Sequence, residues 1–149
     1  MRGFSVFELL IAMAVMAILS SIAVPLYDAY VERARVGQAV ADIGRIDLQV
    51  ERYVSRTFTF PDTLADLGVD VPLDPWGQPY QFLRINGNGT PGLQGQLRKD
   101  RNLVPINSDY DLYSMGADGD SRPPLTARPS RDDVVRASDG GFVGLAEAF

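Results

Sequence analysis

The sequence predicts an α+β fold: a long N-terminal helix, its first half transmembrane, packed on a small antiparallel sheet with an irregular C-terminal loop region. Three observations carry this expectation. Residues 6–26 form an apolar run whose one charge is Glu8. Residues 27–55 contain no proline and repeat apolar side chains at helical spacing. Beyond Thr57 the chain breaks into short apolar stretches separated by Pro- and Gly-containing turns.

The apolar run has the length of a membrane-spanning helix, for which about 20 residues suffice. A removed secretory signal is the first competitor, but its apolar region is usually about 7–15 residues and ends at a small-residue cleavage site, whereas this run continues into helix-compatible sequence. Arg2 precedes it, and Arg33 and Arg35 follow beside Asp28 and Glu32, so the flanking charges leave its orientation open. Further on, Val36, Val40, Ile43, Val50 and Val54 mark one helix face, with Asp42, Arg45, Glu51 and Arg52 largely between them. The spacing predicts one helix of about fifty residues, on the order of 75 Å long. Its second half needs a cover. Gly37 and Gly44 each weaken it by about 1 kcal/mol relative to Ala if exposed.

After the helix, Phe60-Pro61-Asp62 opens a loop, residues 63–67 suit a short helical turn, and residues 69–73 a brief extended stretch. Asp74-Pro75-Trp76-Gly77 sets a sharp turn, with proline fixing one φ and glycine free to take a positive one. Strands are expected at residues 80–85, ended by Asn86-Gly87, near 94–98, and at 111–115. The proline-rich stretch 122–130 reads as an irregular surface loop.

With 149 residues, 14 Lys and Arg against 19 Asp and Glu and a net charge of −5, the chain has no general attraction for nucleic acid. It has no Cys and no His. Disulfides, thiolate or imidazole catalysis and the zinc sites built on those ligands are thereby excluded, so any metal is held by oxygens. Residues 87–92 match the spacing G-x-G-x-x-G, but Pro91 and Gly95 oppose the helix that pyrophosphate binding requires, and a hairpin tip is the simpler reading. Asn88-Gly89-Thr90 is also a glycosylation sequon, relevant only in a host with that pathway. Asp109 and Asp111 alternate along a strand and, with Asp118, Asp132 and Asp133, raise a two-carboxylate hydrolase or a Ca²⁺ site. No nucleophile motif surrounds Ser114, and Asp118-Gly119-Asp120 is too short for an EF-hand loop.

Glu8 is the oddity of the N-terminal run, since a carboxylate deep in a bilayer costs roughly 2.5–3.5 kcal/mol on insertion scales. Placement at the interface is the plain explanation. Its neighbours Gly3-Phe4-Ser5-Val6-Phe7-Glu8-Leu9-Leu10, preceded by Met1-Arg2, resemble the prepilin cleavage motif of type IV pilins and pseudopilins. The resemblance implies that a membrane peptidase cuts after Gly3 and methylates the new N-terminal Phe4. It also implies that Glu8 pairs with a neighbouring subunit's amine during assembly, and that Pro25 is the family's helix-bending proline. Asp74-Pro75-Trp76-Gly77-Gln78-Pro79-Tyr80 and Asp109-Tyr110-Asp111-Leu112-Tyr113-Ser114-Met115-Gly116-Ala117-Asp118-Gly119 are similar to the major pseudopilins of type II secretion. The similarity spans residues 3–119 with gaps and departs after Asp120, where this chain inserts a longer proline-rich stretch. It implies a calcium ion held by the Met115 carbonyl, Asp118, and two late aspartates best matched by Asp132 and Asp133.

Read this way, residues 1–3 are a prepilin leader, 4–26 a transmembrane and filament-core helix, and 27–149 a pilin-like periplasmic globular domain. The implied role is structural, not enzymatic. The subunit is stored as a single-pass inner-membrane protein and polymerises into a homo-oligomeric helical filament, in the periplasm or at the cell surface. Its implied partners are minor pseudopilins, the prepilin peptidase and an inner-membrane assembly platform. The alternatives are a major or minor type IV pilin for motility or adhesion, many of which close a C-terminal loop with a disulfide this chain cannot make, and a signal-anchored periplasmic enzyme or binding domain.

Overall fold

The structure is a computed structural model and describes residues 5–85 and 95–149. The chain divides into two compact units, Met1–Ala34 and Arg35–Phe149. Helix α1 runs over Val6–Thr57, 52 residues with Pro25 inside it. In the first unit every described side chain from residue 5 to 30 is exposed, and this is the part of α1 that is long and apolar enough to cross a membrane.

In the second unit α1 buries Ala39, Asp42, Ile43, Ile46 and Val50, a row at helical spacing. Three of the apolar positions expected on this face, Val36, Val40 and Val54, are only half-buried, and Asp42, expected between the apolar residues, lies within the buried row. The row packs on a four-stranded antiparallel sheet in the order β1 (Gln81–Arg84), β2 (Tyr110–Ser114), β3 (Val134–Ala137), β4 (Phe142–Leu145). Gln81 pairs with Tyr113, Ser114 with Val134, and Ala137 with Phe142.

Period-two alternation gives this sheet two covered faces. Tyr110, Leu112 and Val134 join Ile43, Ile46, Val50, Leu67 and Tyr80 in the core under α1. On the other face Val135 and Ala137 pack with Ile106, Leu125 and Ala146. The proline-rich stretch is therefore more than a surface loop: it is irregular, but its Leu125 is 1 % exposed and helps close the far side of the sheet.

Two strands were correctly expected at 80–85 and 111–115, with ends shifted by about a residue. A third, near 94–98, is not formed: residues 95–98 are turn-like, and Lys99 and Asp100 make only isolated bridges. Arg98 instead turns its side chain inward, and its backbone N–H donates to the Asp111 carboxylate at 2.9 Å. The expected helical turn is a 3₁₀ turn, Leu64–Leu67, with a Thr63–Asp66 capping box before it and Gly68 in the left-handed conformation after it. Residues 69–73 contribute one bridge, Leu73 to Pro79. The glycine-rich 87–92 segment and its sequon lie outside the described residues.

Candidate functional site

Gly3 and Phe4 lie outside the described residues, so the N-terminal site is visible from Ser5 onward. There Ser5 and Glu8 satisfy each other: Glu8 Oε2 accepts the Ser5 backbone N–H at 2.8 Å and its hydroxyl at 3.0 Å. The Glu8 N–H donates to Ser5 Oγ at 3.2 Å. This reciprocal arrangement is a capping box, which meets part of the demand of the first unpaired N–H groups of α1. Ser5 is not among the expected site residues, although its spacing to Glu8, S-x-x-E, is the local signal of a cap. Pro25 lies well inside α1, where its missing N–H removes one ladder bond.

Residues 74–80 and 109–119 of the globular unit lock together side by side. Asp74 Oδ1 accepts the N–H groups of Trp76 at 3.1 Å and Gln78 at 2.8 Å, which holds the turn that Gly77 completes at φ 89°. The second oxygen, Oδ2, accepts the Ser114 hydroxyl at 2.5 Å. At the other end of that block a Cβ on Gly119 would stand 2.4 Å from the Gln78 side chain.

Of the four residues assigned to calcium, Asp118 and Asp132 come together at the end of β2. Asp132 Oδ2 accepts the N–H groups of Ala117 at 2.9 Å and Asp118 at 3.2 Å, while Asp118 Oδ1 accepts the N–H of Asp120 at 2.9 Å. Met115 is joined to this turn through Gly116, whose φ of 66° and close approach to Asp132 leave no room for a Cβ. Asp133 is elsewhere, fully buried against the Arg98 guanidinium and accepting the Ser121 hydroxyl at 2.6 Å. Among the described residues no group of three or more Asp and Glu is arranged to hold a metal. A Ca²⁺ ion wants six to eight oxygens, and a guanidinium on one of the carboxylates repels it. These side chains therefore do not fit the calcium cage that the resemblance implies.

Arg98 is not legible in the sequence, because a lone arginine in an irregular stretch carries no pattern. Its Nη1 donates to Ser121 Oγ at 2.5 Å and to the Arg122 carbonyl at 2.8 Å, its Nη2 meets Asp133, and its guanidinium lies 4.2 Å from the Tyr113 ring centroid. Burial pushes the carboxyls of Asp111 and Asp133 above the usual range, against the pull of their hydrogen bonds.

Asp109 and Asp111 serve different neighbours. Asp109 takes both terminal nitrogens of Arg136, at 2.9 and 2.8 Å, and Asp111 takes the Asn107 amide at 2.9 Å as well as the Arg98 N–H. Two tyrosines donate to helix carboxylates: Tyr80 to Asp42 at 3.0 Å, and Tyr110 to Asp47. Burial first, and then the neighbouring carboxylates, push both phenols above their ordinary value.

Comparison with known proteins places this arrangement. A type II secretion system core protein G of Pseudomonas aeruginosa is 28% identical over 138 residues, covering 78% of this chain and 84% of that protein. A fimbrial protein of the same species is 30% identical over 106 residues, covering 66% of this chain and 69% of the relative. The chain belongs to the type IV pilin-like family. A fimbrial protein of Moraxella nonliquefaciens is 37% identical over 95 residues, covering 62% of this chain and 60% of its own. No family model and no solved structure matches the chain. For a pilin-like chain the long apolar helix and small antiparallel sheet are the fold the sequence analysis expected.

Proposed function

We propose that this chain is a structural subunit of a pseudopilus in a type II secretion system. The observation that carries the reading is the exposed, largely apolar surface of α1 from residue 6 to 26, joined in one chain to a folded unit with its own core. In water such a surface is costly; in a bilayer, and then between the packed helices of a filament, it is covered. The relatives named core protein G support secretion in particular, because they align over 138–140 residues, whereas the fimbrial matches align over 95 and 106.

In this reading the subunit is cleaved after Gly3, Phe4 is methylated, and the chain waits in the inner membrane with its globular unit in the periplasm. Glu8 then exchanges part of its Ser5 contact for the amine of a neighbouring Phe4. The assembly platform, the prepilin peptidase and minor pseudopilins are its partners. The fimbrial relatives favour a second reading, a pilin of a motility or adhesion pilus. Deleting the gene in its source bacterium separates the two. Loss of secreted proteins from the medium with surface motility intact is the result expected; intact secretion with lost motility or adhesion overturns the secretion reading.

A further inference from the structure

The proline-rich stretch has few apolar side chains of its own, yet it closes the far face of the sheet, so something must hold it there. A calcium ion at Asp118, Asp132 and Asp133 would supply such a tether, but the residues do not fit one. We infer that the Arg98 guanidinium is the built-in cation that tethers this stretch in place of calcium.

The geometry matches the task. The Arg98 side chain is 2 % exposed, and its fork reaches three groups that are distant in sequence: the Ser121 hydroxyl, the Arg122 carbonyl and the Asp133 carboxylate. A planar guanidinium with five donors suits such divided contacts, as a point charge does not. Backbone bonds extend the seam on both sides: Lys99 N–H donates to the Pro123 carbonyl at 3.0 Å, and Leu125 N–H to the Lys99 carbonyl at 2.8 Å. Leu125 is thereby set into the small cluster with Ile106 and Val135. The Tyr113 ring lies over the guanidinium and screens it from water.

Two atoms of the pair, Arg98 Nε and Asp133 Oδ1, lack hydrogen-bond partners among the described residues. The pair is thus held by charge and burial more than by full hydrogen-bond satisfaction, and removing the guanidinium leaves Asp133 buried and uncompensated. The same positive charge bars a divalent ion from that carboxylate. This inference rests on the geometry of the globular unit and stands apart from the choice between secretion and motility.

The test uses the full chain in detergent, by hydrogen exchange of residues 121–133 and by thermal melting, each with Ca²⁺ and with a chelator. For the native chain, equal melting and equal exchange in both conditions are expected. Arg98→Gln is expected to speed exchange at residues 121–125 on the order of tenfold or more while amides in the buried row of α1 keep theirs. Should Arg98→Gln fail to fold, Arg98→Lys keeps the charge without the fork, and faster exchange confined to the same residues is expected of it. Calcium that protects residues 121–133 or raises the melting temperature of the native chain overturns the inference. So does native exchange in whichever variant folds.

Discussion

Glu8 has one role in the structure and a second in the proposed filament. In the chain alone it is the N3 carboxylate of a capping box with Ser5; in the proposed filament it answers a neighbour's amine. The roles separate by substitution, because glutamine still accepts from the Ser5 N–H but carries no charge. Glu8→Gln is therefore expected to keep membrane retention and helix content and to lose filament formation, as counted by electron microscopy of sheared cells. Native filament numbers in Glu8→Gln would reduce Glu8 to a helix cap. Gly116 is fixed by its backbone. Its φ of 66° disfavours a side chain, and an added Cβ would sit 2.5 Å from the Asp132 carbonyl oxygen, which is backbone and cannot swing away. Gly116→Ala is expected to cost roughly 2–4 kcal/mol, read as a fall in denaturation midpoint. Gly119→Ala meets the end of a flexible Gln78 side chain and is expected to cost less.

At the scale of elements, the β3–β4 connection shows how a polar turn is held. Ser138, Asp139 and Gly140 all take positive φ, at 53°, 53° and 90°, a demanding run for two non-glycine residues. Hydrogen bonds compensate. The Asp139 carboxylate accepts the Ser108 N–H at 2.6 Å and its hydroxyl at 2.8 Å, and the Asp139 N–H donates to Asn107 at 2.9 Å. The Ser108 N–H holds the Asp139 carboxyl below the usual range. A carboxyl with a depressed native pKa stabilises the fold above its unfolded value, and that contribution is lost as pH falls through the native one. Asp139→Asn is accordingly expected to lose less stability than the native chain on acidification from about pH 5 to about pH 3, measured by denaturant titration at each pH. An equal loss in both would show that the turn does not sense the charge.

For the whole globular unit, Arg136 is the joint between layers. From β3 it reaches Asp47 on α1 at 2.6 Å and Asp109 beside β2 at 2.8 Å, with the Tyr110 ring 4.1 Å from its guanidinium. One side chain thus ties the helix, two strands and the aromatic group of Tyr110 with Phe60 and Phe82. Removing it leaves two carboxylates facing each other's field. Both keep some solvent contact, at 21 % and 17 % exposure, which moderates the penalty. Arg136→Ala is expected to cost roughly 2–4 kcal/mol, with the loss shared by α1 and the sheet, so that helix and near-ultraviolet signals melt together. An Arg136→Ala chain as stable as the native one would mean that the layers are joined by apolar packing alone.

What the sequence determined by itself is everything that repeats or sits at short range. The apolar run 6–26, the capping spacing of Ser5 and Glu8, the Asp74-Pro75-Trp76-Gly77 turn and two of the four strands are written in neighbouring residues, because helix and strand periods and turn conformations are local properties. The strands β3 and β4, Val-Val-Arg-Ala and Phe-Val-Gly-Leu, carry no alternation of polar and apolar residues for a local pattern to mark. The tertiary structure alone decided which polar groups are buried. Asp42 belongs to the core because Tyr80, 38 residues away, donates to it, and Asp133 leaves the calcium arrangement because Arg98, 35 residues away, claims it. A buried charge is tolerated only where a partner meets it, and that partner is chosen by the way distant segments pack, which no local pattern records.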